Sequence, residues 1–183
     1  MKTGLIVLFV ISFSLSTSAQ AVFIADSGAV SFFSSAPLED IKAESNQVNS
    51  MINTTNGEVA FMILMRSLKF AKALMQEHFN EKFIESEKYP HATFKGRINE
   101  KIDLTKKGTI PVTAAGKLTI HGVEKDVSEQ GELEILDSMI ILKTKFMAAV
   151  ADYKIEIPQL LFKNIADTVE VKLTAIYYPY KNK

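Results

Sequence analysis

The chain has 183 residues, 47% of them apolar, with 21 basic and 21 acidic side chains and no cysteine. A formal charge of zero gives no basic excess to pull on phosphates, so nucleic acid is excluded as a main partner, as is a polybasic membrane patch. Without cysteine there are no disulfides, no thiol or Cys–zinc chemistry and no lipid anchor on an N-terminal cysteine.

In chain order, Met1-Lys2 leads into an apolar run from Leu5 to Leu15, then Ser16-Thr17-Ser18-Ala19-Gln20-Ala21. A charged start, a short apolar core and a small-residue exit make residues 1–19 a secretory signal peptide, cut after Ala19 or Ala21. The run is too short for a membrane helix, which needs about 20 apolar residues. Residues 20–183 then form one ordinary domain. It has one more acidic than basic side chain, because Lys2 leaves with the leader.

Strand signals dominate this domain. The first candidates are Ala29 to Ser34, Ile41 to Gln47, Ser50 to Thr54 and Glu58 to Met65. Asn56-Gly57 marks a hairpin turn between the last two. A helix is expected next, because Phe70, Ala71, Leu74, Met75, His78, Phe79 and Phe83 recur at three- and four-residue spacing. Tyr89-Pro90 ends that segment, since the residue before proline avoids helix. From Thr93 to Ile102 the even positions Phe94, Ile98 and Ile102 are apolar between polar neighbours, the period-two mark of a half-buried strand. The same alternation runs through Leu118 and Ile120, Leu133 and Ile135, Ile140 to Phe146, and Val169 to Tyr177. A helical turn is expected near Pro158 to Lys163. No repeat, linker or low-complexity segment interrupts the order.

About eight strands and one helix in a domain this size imply a closed antiparallel β-barrel, mainly β, because closure removes bare strand edges. At that strand number the interior is either filled by side chains or holds one small ligand. Strand parity selects Val30, Phe32, Phe61, Ile63, Phe94, Ile98, Leu118, Ile120, Leu142, Phe146, Val171 and Leu173 as the inner wall. A one-residue slip would turn any strand's set outward. On the helix, Leu74, Met75, Phe79 and Phe83 form an apolar face that closes one end, or acts as a lid that swings aside.

Catalytic signals are missing. His78, His91 and His121 have no metal-ligand spacing and read as surface or edge histidines. No Gly-x-Ser-x-Gly elbow and no glycine-rich phosphate loop occurs. Asn53-Thr54-Thr55 matches a glycosylation triplet by chance. The expectation is therefore no catalytic residue, no metal and no cofactor.

Three segments carry a family resemblance. Arg66-Ser67-Leu68-Lys69-Phe70, followed by the helix and Lys88-Tyr89-Pro90 to Phe94, resembles the central signature of the YceI-like family. Gly116-Lys117-Leu118-Thr119-Ile120-His121-Gly122-Val123, running on to Lys125-Asp126-Val127, is similar to its second. Ser27 to Phe32 is similar to its first strand. Asp126 stands where the family commonly has proline, and Ala148-Ala149-Val150 replaces a longer glycine-rich stretch, departures that bear on tunnel length. The resemblance implies an elongated, lipocalin-like antiparallel barrel around a lipid-holding tunnel in an exported, periplasmic or secreted protein. The implied guest is a long apolar lipid, a polyisoprenoid or isoprenoid quinone, though a fatty acid or fatty amide suits the same walls. The rival reading is a structural or adhesion-type barrel with a filled core that binds another protein. The oligomeric state is open, a homodimer included.

Overall fold

The computed structural model of the protein describes residues 21–35, 40–157 and 166–180. The leader and the turn expected near Pro158 to Lys163 lie outside the described residues. The strands, in chain order, are β1 (Val22–Ser34), β2 (Ile41–Ser45), β3 (Val48–Asn53), β4 (Glu58–Leu64) and β5 (Lys69–Phe70). One α-helix, α1 (Ala73–His78), precedes β6 (His91–Ile98), β7 (Gly108–Ile120), β8 (Val123–Ile135), β9 (Ile140–Ala149) and β10 (Thr168–Pro179).

Eight of these strands close a ring in the order β1-β3-β4-β6-β7-β8-β9-β10, and β10 returns to β1 from Phe23↔Pro179 to Phe33↔Glu170. All the strand pairs are antiparallel. The two remaining strands, β2 and β5, extend one end: β2 pairs with the second half of β1, and β5 pairs with β2. The expected closed barrel is therefore present, and closure satisfies edges that would otherwise recruit other chains.

Turn chemistry sets the longest hairpin. His121 and Gly122 join β7 to β8 with φ of 51° and 71°, the left-handed pair that a two-residue turn needs to match strand twist. That turn locks thirteen residue pairs in register, from Ile120↔Val123 to Gly108↔Ile135. At the β3–β4 turn, Gly57 has φ 75°, and a side-chain carbon there would lie 2.7 Å from the Ile98 carbonyl oxygen.

Four expected boundaries move. Helix α1 begins at Ala73 rather than Phe70, because Lys69 and Phe70 are taken by pairing with Glu44 and Ala43. After His78 the chain widens into a π-helical turn, Phe79–Phe83. Strand β6 stops at Ile98, where the Asn99 N–H turns to the Thr113 carbonyl; Ile102 is still buried, but in the loop beyond. Strand β1 starts seven residues before Ala29. Its register shifts between Ala25 and Ser27, so the inward parity changes from Phe23 to Val30 across the bulge, and simple alternation misses the first half.

Where β1 starts and β10 ends, the barrel is solid. Ile52, Leu133, Ile135, Ile140, Ala175 and Tyr177 are sealed from solvent there. Each large apolar side chain so buried contributes about 1.5–3 kcal/mol. The Tyr177 hydroxyl shares a 2.6 Å hydrogen bond with Ser50 Oγ, which also donates to the Ala60 carbonyl at 2.8 Å. Burial outweighs that bond and holds the phenol far above its ordinary pKa.

Candidate functional site

The other half of the barrel is hollow. An apolar cavity of about 180 Å³ lies under the helical segment, and a second of about 90 Å³ lies toward mid-barrel. Ile63, Ala92, Leu118, Phe146 and Val171 line both, so the two are chambers of one interior. The space exists because inward positions are small here. Ala92 on β6, Ala114 on β7 and Gly131 on β8 stand where large residues would fill the middle. Gly96 lets the Phe94 ring lie against it; a side-chain carbon at Gly96 would sit 2.5 Å from that ring. The Phe94 and Phe61 rings, 6.4 Å apart, form part of the mid-barrel wall.

Strand parity placed nearly all of its wall residues on this lining. Val30, Phe32, Ile63, Leu118, Ile120, Phe146 and Val171 line the larger chamber, and Phe61, Phe94, Leu142 and Leu173 the smaller. Ile98 does not: it is buried in the solid end, beyond the last chamber. On the helical segment Met75, Phe79 and Phe83 face the cavity, whereas Leu74 points to solvent with 62% of its surface exposed. Leu74 stands one, five and nine residues from Met75, Phe79 and Phe83, spacings that put it on the far side of a helical turn from their shared face.

Aromatic rings seal the helical end. Phe79 stacks on Phe32 at 5.6 Å and meets Phe70 at 4.8 Å, while Phe70 stands edge-on to Phe32 at 5.5 Å. No residue of α1 itself is buried. It is held to β5 by one side chain: Gln76 Nε2 donates to the Leu68 carbonyl at 2.9 Å, and its Oε1 accepts from the Phe70 N–H at 3.2 Å. Asn80 Nδ2 donates to the Gln76 carbonyl, yet its buried Oδ1 has no partner.

Beyond α1, His121 is not the surface histidine expected from sequence. Only 12% of its side chain is exposed, its Nε2 lies 2.9 Å from Glu85 Oε2, and its Nδ1 lies 3.1 Å from the Tyr153 carbonyl oxygen. The Tyr89 ring stands edge-on to it at 4.5 Å. His121 thus ties the β7–β8 turn to the post-helix segment and to the 3-10 turn Val150–Tyr153, a structural task. His78 and His91 remain on α1 and β6. Among the described residues no group of three or more His, Asp or Glu is placed to hold a metal.

The ladder of the ring is incomplete at two junctions: β1 and β3 pair over only three residues, Val22↔Asn53 to Ile24↔Met51, and a seam opens between β8 and β9 beside the smaller chamber. β8 and β9 pair only from Gly131↔Thr144 to Ile135↔Ile140. Beyond Gly131, residues Val123 to Gln130 pair with β7 alone, and Lys145 to Ala149 with β10 alone. Thr144 Oγ1 donates to the Gln130 carbonyl at 2.6 Å where the strands part, and the Lys125–Asp152 ion pair, at 3.7 Å, spans the far end. Between them Val127 and Glu129 on β8 face Phe146 on β9 across the lining of the smaller chamber. Sequence reasoning missed Glu129, and also Ser34, Ile41, Met65, Ala92, Val112 and Tyr153, all of which line a chamber. Parity would have found Ala92 and Val112, and it also puts Glu129 on the face of Leu133 and Ile135, where its charge argues against an inward place.

Among the described residues no helix is long and apolar enough to cross a membrane. The sequence model of the YceI-like domain matches residues 16–176. Comparison with curated protein sequences gives no match. Among solved structures, a polyisoprenoid binding domain from Saccharophagus degradans, implicated in plant cell wall breakdown, superposes with a TM-score of 0.73 at 20% identity, covering 88% of this chain and 100% of that one. BcnA of Burkholderia cenocepacia gives 0.69 at 15% identity, with 81% and 95% covered. The YceI protein of Campylobacter jejuni gives 0.56 at 18% identity over the whole of both chains. At these identities the likeness is one of fold.

Proposed function

Because the chain belongs to the YceI-like family, we propose that it is an exported lipid-binding protein that holds one long apolar chain inside the barrel, a polyisoprenoid or the isoprenoid tail of a quinone. The observation that carries this reading is the two-chambered apolar interior at the helical end. The task is sequestration and carriage through water, with no bond made or broken. Ten methylene-equivalents taken out of water gain about 8 kcal/mol. That is of the same order as the roughly 4–15 kcal/mol lost in bringing two molecules together, so tight holding requires a long tail.

The ligand class is supported by the shared fold with the Saccharophagus degradans polyisoprenoid binding domain. Export into a periplasm or out of the cell rests on the leader at residues 1–19. Wall residues such as Phe94, Leu118 and Phe146 would strip water from the tail, and Met75, Phe79 and Phe83 would cover it.

Mass spectrometry of organic extracts from protein purified from its own host tests this. One stoichiometric isoprenoid lipid is expected. Repeated lipid-free extracts would overturn the carrier reading in favour of a structural barrel working through its outer face. There Tyr178, Ile24 and Met51 lie in one exposed apolar row across β10, β1 and β3.

A further inference from the structure

The seam between β8 and β9 combines three independent features. It is a stretch without a ladder that has chamber-lining residues on both sides, so the smaller chamber is walled there by side chains alone. Among the described residues it carries the single ionisable group on the lining of either chamber apart from the phenol of Tyr153, namely Glu129. That carboxyl has no hydrogen bond or ion pair with any described residue, although an inward acid in an apolar wall is costly to leave unpartnered.

The cations around the seam are already engaged. Lys125 pairs with Asp152 at 3.7 Å, and Lys117 with Glu124 at 2.6 Å and Asp126 at 3.8 Å. On the outer face Lys145 and Lys172 both hold Glu170, at 2.6 and 2.8 Å, and Lys143 lies 3.7 Å from Glu134. A phosphate at this opening would therefore meet an unpaired carboxylate, while the described lysines on the strands flanking the seam, Lys117, Lys125, Lys143, Lys145 and Lys172, are all paired. A hydroxyl would meet an acceptor. Burial also raises the pKa of Glu129, the direction in which a neutral environment favours a neutral head.

We propose that the seam is the mouth of the cavity, and that Glu129 there accepts a hydrogen bond from a neutral hydroxyl head, so that the guest is a polyisoprenoid alcohol or quinol and not a phosphate ester. This rests on the lipid-holding reading above and narrows it. Glu129 is thus a specificity residue: the tail supplies the affinity, and the carboxyl selects the head.

Binding of geranylgeraniol and of geranylgeranyl phosphate to the delipidated protein, measured side by side by titration calorimetry, tests this. The alcohol should bind at least about tenfold more tightly, a difference of about 1.4 kcal/mol. E129Q should narrow the gap by improving phosphate binding, and E129K should invert it. A diazirine beside the hydroxyl should crosslink to residues 127–131 of β8 or 144–148 of β9. Equal or tighter binding of the phosphate by the unaltered protein would overturn the assignment. So would an unchanged ratio in both folded variants, or crosslinks confined to the α1 side. Binding of neither compound would instead sink the lipid-holding reading itself.

Discussion

At the end where β1 enters, Ile52, Leu133, Ile135 and Tyr177 meet across the middle and leave no room. At the end where β1 leaves, β2 and β5 join the wall in place of β3, and the sheet encloses two chambers, floored by Ala92 and Ala114 and roofed by Phe79 and Met75. One closed sheet thus has a half that stabilises and a half that can receive a guest. The difference lies in side-chain size, in the missing β8–β9 ladder and in the exchange of β3 for β2 and β5 beside β1. Interiors are normally packed to crystal-like density, so a hollow half must be supported by the full half beside it.

The sharpest way to break this contrast is to remove the same atoms at both ends. Leu133→Ala should lower unfolding stability by about 3–5 kcal/mol, the range for a leucine truncated in a tight core. Leu118→Ala, beside space that already exists, should cost less than about half as much in the same urea titrations. Equal losses would mean that the hollow end is as tightly packed as the solid one.

Phe94→Lys places an ammonium in the wall between the chambers, and lipid retention should weaken by about two decades in Kd, roughly 2.8 kcal/mol. Full retention by a folded variant would take Phe94 off the ligand path. A smaller effect is expected at the roof. Gln76→Ala removes both hydrogen bonds from α1 to β5 and should cost about 1 kcal/mol locally. It should be read as faster hydrogen exchange over residues 73–83 and faster lipid release. Faster exchange without faster release would make α1 a plug and not a gate.

The smallest effect is on pH. Burial raises the Glu129 carboxyl above its ordinary 4.5. As pH rises from that value toward the raised one, the native protein holds more protons than the unfolded chain, so stability falls through that window. Glu129→Gln should remove this slope and be slightly more stable than the parent at neutral pH. A steeper fall in the variant would contradict the placement of Glu129 in the wall.

Much of the fold was legible in the residues. Alternation at Phe94, Leu142, Phe146, Val171 and Leu173 was enough to put each on the inner wall, because an antiparallel strand with one wet face must alternate. Asn56-Gly57 announced its turn for an equally local reason. The alternation faded where the interior empties: Ala114 and Gly116 on β7, and Glu129 and Gly131 on β8, break the apolar pattern in strands that are nonetheless continuous. The bulge at Asp26 hid half of β1 in the same way. The signal that finds a core weakens wherever core is absent, so the site is the part of the fold that periodicity reads least well.

Sequence by itself determined the class of fold, the turn between β3 and β4 and which side of most strands is apolar, because those depend on backbone geometry within a few residues. Tertiary structure alone decided that one half is full and the other hollow, that β8 and β9 part beyond Gly131, and that His121 is a brace and Glu129 an inward acid. Those outcomes depend on which residues of distant strands face one another, a sum over the whole ring that no single segment contains.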